Sequence, residues 1–244
     1  MIYASIAGAY PQIGIDSKGH DLRAARHDFD RGLTTLEHLE EIEDRVVFEV
    51  VKEQENAGMD FITDGLVRWK DPVSHIAGRM DGVEEGELHH LYWTNFHVRK
   101  AVVNNVPVKK SPFIKGDVDF TKTCTTKKVL PVLPSINLLM KYTESKSVSP
   151  EAIKEAYEKA YEDEECLVGS IFTGVFQGYQ VFDVVSVRSA LMENPKEVAD
   201  RIAGLLIPGT PVILKPDWWL DVLPRRYAYK KMEIIAQIRD ILCA

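Results

Sequence analysis

The chain has 244 residues, long for one average domain, short for two, and ample for a hydrophobic core. Its 45% hydrophobic and 27% charged residues are ordinary for a globular protein and exclude a disordered chain, a collagen-like chain and a disulfide scaffold. Lys and Arg total 30 against 37 Asp and Glu, a net charge of -7, which is not the basic surface a general nucleic-acid binder needs. Three cysteines, Cys124, Cys166 and Cys243, show no CxxC spacing and imply a reducing compartment. No apolar run reaches the roughly 18 residues of a membrane span, and the first eight residues lack a basic n-region. A cytoplasmic protein with neither nucleic acid nor membrane as partner is expected.

In chain order, Ile2 to Ala7 reads as a short buried strand broken by Gly8-Ala9-Tyr10-Pro11-Gln12. Residues 35 to 56 form the clearest helix. Thr34 and Glu37 have capping-box spacing, Leu36, Leu39, Ile42, Val46 and Val50 recur at helical spacing, and Gly58 ends it. Met59 to Thr63 is a buried strand closed by Asp64-Gly65. Strand, loop, helix, strand is the signature of a βαβ unit with a parallel sheet. An irregular insertion follows at about 83–127, with extended or hairpin segments at Tyr92 to Val98, Ala101 to Lys109 and Phe113 to Phe120.

Parallel order resumes at Lys128 to Pro134, followed by a helix over Ile136 to Tyr142. Ser149-Pro150 opens another helix, with Ser as N-cap and Pro in the first turn. Leu167 to Phe172 and Val181 to Val187 read as strands. Asn194, Pro195 and Glu197 start a helix, Pro211 to Leu214 is the last buried strand, and Arg226 to Leu242 is the final helix. The β/α alternation, without repeat or linker, predicts a single domain, 1–244, with a barrel-like parallel sheet; an open doubly wound sheet is the alternative. No GxGxxG follows the first strand, against a dinucleotide-binding version.

In a parallel barrel, sites collect at the carboxyl ends of strands. The richest such segment holds Asp64, Arg68, Asp71 and His75 within twelve residues. Arg68 can grip a carboxylate or phosphate in a two-pronged pair, and Trp69 can stack on a flat ring. The alternative is that Asp64 and Asp71 cap turns and Arg68 pairs with one of them. Tyr10, Gln12 and Asn137 follow other strands, and Trp218 and Trp219 form either an aromatic wall beside Asp217 or a packed rim. His89 and His90 are adjacent in the sequence, so their side chains point apart and no shared metal is expected. His20, His27 and His38 read as surface positions, and Cys166 as a buried structural thiol.

In this order, the segments resemble the catalytic barrel of cobalamin-independent methionine synthase. Ala7-Gly8-Ala9-Tyr10-Pro11-Gln12 is similar to that family's first-strand motif. Ala57 to Gly65 is similar to its second strand, and Val67 to Pro72 to the shorter archaeal-type branches. Asn194 to Ile202, Leu214-Lys215-Pro216-Asp217 and Leu223 to Met232 match the last two β/α units. The resemblance covers about three quarters of the chain. It implies an α/β fold, a TIM (β/α)8-type barrel of the methionine synthase and uroporphyrinogen decarboxylase superfamily.

The departures from the family are specific. Its zinc is held by a His-x-Cys pair, a Glu and a Cys in Pro-Asp-Cys-Gly-Leu. Here Trp218 stands at that Cys, no His-x-Cys occurs, and Leu66 stands where the family has a substrate-gripping Glu. Zinc is therefore not expected. The stretch from Tyr142 to Val181 is short for two full β/α units, so one or two units are shortened or missing, and a homodimer or partner subunit is expected to cover the exposed strand edges.

The leading expectation is methyl-transfer chemistry without zinc on a folate-type pterin or corrinoid donor. It gives Asp64, Asp71 and Asp217 proton-handling roles, and Tyr10, Gln12, Arg68, Trp69, His75, Asn137 and Trp218 ligand contacts. The alternatives are a companion subunit of a methyltransferase system and a metal-free lyase or decarboxylase.

Overall fold

The structure is a computed structural model describing residues 1–6, 8–12, 19–162, 164, 167–169, 174–176 and 178–244, with the backbone alone at 19–21, 167–169 and 174–176. It opens with β1 (Ile2–Ala4), α1 (Gly19–Asp30), α2 (Leu36–Asn56), β2 (Phe61–Ile62) and α3 (Pro72–Ala77). Then come β3 (Met80–His90), β4 (His97–Lys109), α4 (Lys115–Cys124), β5 (Lys128–Val129), β6 (Val132–Pro134), α5 (Ile136–Lys141), β7 (Thr143–Ser145) and α6 (Pro150–Tyr161). The chain closes with β8 (Leu167–Gly169), β9 (Gly174–Phe176), β10 (Tyr179–Val185), α7 (Pro195–Ala203), β11 (Val212–Pro216), a 3-10 turn (Leu220–Val222) and α8 (Arg225–Cys243). No described helix is long and apolar enough to cross a membrane.

The chain divides into two compact units. The first comprises Met1–Val67, Phe120–Leu130 and Ile171–Ala244; the second comprises Arg68–Asp119 and Pro131–Ser170.

In the first unit, β11 pairs in parallel with β1 on one side and β10 on the other, with Ile2 opposite Val212 and Asp183 opposite Lys215. β9 adds an antiparallel edge. β2 pairs in parallel with β5. The Asp60 N–H donates to Ala4 O at 2.9 Å, tying the entry of β2 to β1. The stripe Leu39, Ile42, Val46 and Val50 of α2 meets Ala228, Met232 and Ile235 of α8 in one core with Val212 and Leu214. Each of the Val, Leu, Ile and Met side chains, once buried, stabilises by about 1.5–3 kcal/mol. Ile213 and Lys215 alternate with the core-facing residues and point to the sheet's other face.

In the second unit, β3 and β4 form a long antiparallel hairpin to which β7 adds in parallel, and β6 pairs in parallel with β8. Helix α3 packs on β3, β4 and β6, and α6 on β4. At the hairpin turn Thr94 N–H donates to Leu91 O at 3.1 Å, with Tyr92 held at φ +50°. The turn is locked by Tyr142, whose hydroxyl accepts the Tyr92 N–H at 2.8 Å and donates to His90 O at 3.1 Å.

The α/β character holds, with parallel pairs in every sheet. The strands fall into four sheets of two to four strands, and no closed ring forms among the described residues. Helices opened by Ser149 and Asn194 stand where their caps place them.

Three local expectations are corrected. The cap of α2 is Thr35, whose hydroxyl accepts the His38 N–H at 3.3 Å, one residue beyond the Thr34 box. Phe113 to Phe120 is not extended: Lys115–Cys124 is helical, with only Thr121 and Cys124 buried and Phe120 packed beside them, too few apolar positions to show a helical stripe. Lys128 to Pro134 is two short strands in different sheets, parted at Pro131, which has no N–H to give a ladder.

Candidate functional site

Three loops leave the carboxyl ends of β1, β2 and β11 in the first unit, and backbone bonds tie them together. Tyr10 N–H donates to Gly65 O at 3.0 Å, Leu220 N–H to Ala9 O at 3.1 Å, and the Thr63 hydroxyl to Gly8 O at 3.3 Å. Gly8, at φ +147°, lies under Trp219: a Cβ there would stand 2.3 Å from the indole Cδ1. Trp218 and Trp219 are inclined at 46° with centroids 5.7 Å apart, Trp219 buried and Trp218 half-buried.

Tyr10 points away from these loops. Its hydroxyl donates to Glu53 Oε2 at 2.8 Å, and Glu53 also receives Arg225 Nε at 3.0 Å. Burial first, then the Glu53 charge, pushes the phenol far above its usual range. Gln12 bridges Arg26, which donates to its Oε1 at 2.7 Å, and Val67 O at 3.3 Å. Both residues brace helices and loops.

Asp217 is fully engaged as well. Oδ2 receives the Ser186 hydroxyl at 2.7 Å and Oδ1 the Val187 N–H at 2.8 Å, which clamps the loop after β10. Asp64 is buried at the carboxyl end of β2.

In the second unit, Arg68, Trp69 and His75 come together around Asp117, which pattern reading missed. Arg68 Nη1 stands 3.5 Å from Asp117 Oδ1, and the Trp69 indole N–H donates to Oδ2 at 3.1 Å. Trp69 is buried and stacks on His75 with centroids 3.7 Å apart, so His75 takes the indole face meant for a ligand. His75 Nε2 bonds Phe113 O at 2.8 Å. Burial first, then Arg79, brings its pKa down to about 3, leaving the ring neutral. Asp71 is the N-cap of α3, Oδ1 receiving Val73 and Ser74 N–H at 2.8 Å each. Asn137 is exposed on α5.

Two further features escaped the sequence reading. Lys215, 5% exposed, pairs with Asp183 on the face of β10 and β11 turned from the helices. Its signal was one charge inside an otherwise apolar strand. Asp221, in the 3-10 turn after Trp219, has its Oδ1 shut from solvent with no hydrogen-bond partner. Burial brings its pKa up to about 7, opposed by the backbone N–H groups of Val222 and Asp221. In this turn beyond β11, burial favours the protonated form of the carboxyl.

The donors do not fit a thiolate-activating zinc after β11. Asp217 is engaged through both oxygens, and indole nitrogen is a donor only. Among the described residues no three His, Cys, Asp or Glu side chains converge to hold a metal. Cys166 lies outside the described residues.

No protein-family model matches the chain, and no curated relative matches it. Solved structures do. A B12-independent methionine synthase from Shewanella sp. W3-18-1, in complex with selenomethionine, superposes with a TM-score of 0.73 at 11% identity, covering 99% of this chain and 97% of its own. A protein assigned as a vitamin-B12-independent methionine synthase from Listeria monocytogenes gives 0.67 at 13% identity, covering 99% and 98%. End to end, the chain has the fold of these methionine synthase structures.

Proposed function

We propose that the protein acts in methyl transfer on a shortened (β/α)8-type framework of the cobalamin-independent methionine synthase family, without a zinc-bound thiolate. A pterin or corrinoid methyl donor is the ligand class. The observation that carries this reading is the superposition over 99% of the chain on a methionine synthase, joined to a loop after β11 that has Trp218 and Trp219 in place of metal donors. That neighbour holds selenomethionine, an amino acid carrying a methylated chalcogen.

In this chain the half-buried Trp218 would supply an apolar wall and Asp221 the proton exchange near neutral pH, with the charged pair Lys215–Asp183 on the adjoining strands. Asp64 stays in the reading as a second carboxylate. Asp71 and Asp217 act as positioning residues, since their oxygens hold backbone N–H groups. A homodimer or partner subunit covering the outer strand β3 belongs to the same reading.

The test is thermal unfolding of chelator-treated protein with a methylated tetrahydropterin, methylcobalamin or homocysteine. A ligand at 100 times its Kd adds about 2.7 kcal/mol. The expected result is a shift with one methyl donor that persists after chelation and disappears in Trp218→Ala. No shift with any of the three would overturn the methyl-transfer reading. It would favour a companion subunit, the reading supported by the engagement of Asp71 and Asp217 with backbone.

A further inference from the structure

The sequence places His89 beside His90, but the hairpin register makes a different pair. His90 stands directly opposite His97 across β3 and β4, one residue from the turn. Their ring centroids are 4.3 Å apart, inclined at 41°. His89 faces Val98 instead, on the other side of the ribbon. Both paired histidines are exposed, and among the described residues neither imidazole enters a hydrogen bond or ion pair with a side chain or backbone group. Their ring nitrogens are therefore open to solvent and to a ligand.

We propose that His90 and His97 form a binding site for a divalent late first-row transition-metal ion, such as Zn2+, Ni2+ or Cu2+, with water completing the coordination. Directly opposed residues of an antiparallel pair carry their Cβ atoms about 4.5–5.5 Å apart. From there two imidazoles reach a shared ion at the roughly 2.0–2.1 Å of a metal–nitrogen bond by side-chain rotation alone.

The backbone is prepared for this. Tyr142 binds the His90 carbonyl and the Tyr92 N–H, and the Leu91 N–H donates to Phe96 O at 2.9 Å, so the two strands cannot slip at this point. The basic groups around the turn are already engaged: Arg99 is held by Glu85 at 3.5 Å and by Gly86 O at 3.2 Å, Lys100 by Glu144 at 2.9 Å, and Lys141 lies 4.0 Å from the Tyr92 ring centroid. No third His, Cys, Asp or Glu joins the pair among the described residues, so coordination positions stay open to water. Imidazole selects these borderline ions, whereas Mg2+ and Ca2+ prefer oxygen donors. The site lies in the second unit, remote in sequence from the loop after β11, and does not depend on the methyl-transfer reading.

The test is isothermal titration of the full chain, purified without a metal-binding tag, with ZnCl2, NiCl2 and MgCl2 in a non-coordinating buffer. The expected result is one Zn2+ or Ni2+ per chain, no Mg2+, and weaker binding as the pH is lowered, because the ligand is the neutral ring. His90→Asn and His97→Asn should each weaken binding by more than the about 10–100-fold typical of an outer-sphere partner. His89→Asn should leave it unchanged. Because all three positions are exposed, the thermal unfolding of each metal-free variant should match the parent and certify its fold. Full binding retained in the His90→Asn/His97→Asn double variant would overturn the proposal. So would equal loss in His89→Asn, or equal affinity for Mg2+.

Discussion

The two units treat their polar side chains differently. In the first, buried charges are paired: Arg225 with Glu53, Lys215 with Asp183, Lys231 with Glu193. The carboxyl-edge loops are tied by backbone bonds, and Asp217 and Gln12 are consumed in holding them, while Asp221 keeps one buried oxygen without a hydrogen-bond partner. The second unit is graded. Around Trp69 it is as closely packed as the first, but along β3 and β4 it leaves His90, His97, Trp93 and Phe96 to solvent. Residue type therefore does not identify a site here. An aspartate that caps a helix and a histidine packed under an indole are spoken for, whereas an exposed cross-strand pair is available.

The sharpest way to break this contrast is Lys231→Met. Lys231 is fully buried, with both Glu193 oxygens 2.8 Å away. Removing one partner of a buried pair costs about 3–5 kcal/mol. Urea unfolding should show a loss of that order, partly restored by adding Glu193→Leu, which also removes the acceptor of the Ser186 N–H. A loss below about 1 kcal/mol would mean the pair is not held as a buried unit.

Next in size is an acid effect from the second unit. His75 has its pKa lowered from 6.5 to about 3, so the unfolded chain binds the proton more readily than the folded one. Stability from this residue is present above pH 6.5 and declines as the pH falls towards 3, by at most about 1.4 kcal/mol per pH unit. Unfolding measured between pH 7 and 4 should show a slope that His75→Phe flattens. An unchanged slope in that variant would remove His75 as its source.

Gly8→Ala puts a methyl group into the Trp219 ring at a backbone angle that suits glycine, and overpacking of this kind costs about 1–3 kcal/mol. Trp219→Ala in the same chain should relieve part of it. Additive losses in a double-mutant cycle would show that Gly8 and Trp219 do not press on each other.

Asp71→Ala is the smallest effect, about 1 kcal/mol for the loss of an N-cap. Asp71→Ser should recover most of it in thermal unfolding. Failure of both Asp71→Ser and Asp71→Asn to recover it would point to a role for the second oxygen, which accepts the Arg99 N–H at 3.4 Å.

Much of the local architecture was legible. Ser149 and Asn194 cap helices because an N-cap satisfies N–H groups two or three residues away, within reach of any sequence pattern. The α2 stripe was readable for the same reason. The insertion at 83–127 was harder. Its β3–β4 portion is paired, but the helix Lys115–Cys124 buries only Thr121 and Cys124, which leaves no apolar period. The candidate site was legible as a set of segments and not as a set of contacts. Asp71 was read as either a reactive carboxylate or a turn cap, and the structure makes it a cap; Asp217 was read as a reactive carboxylate because the partners that occupy it do not show in a string. Lys215 and Asp183 were passed over because 32 residues part them.

Composition, caps and helical periodicity are local properties, so the sequence by itself determined an α/β chain, the placing of most helices, and a loop after the last strand that carries Trp218 and Trp219. Contacts between distant residues depend on strand register and on which loops meet. Tertiary structure alone therefore decided that Tyr10 turns towards Glu53, that Arg68 pairs with Asp117, and that His90 finds His97 instead of His89.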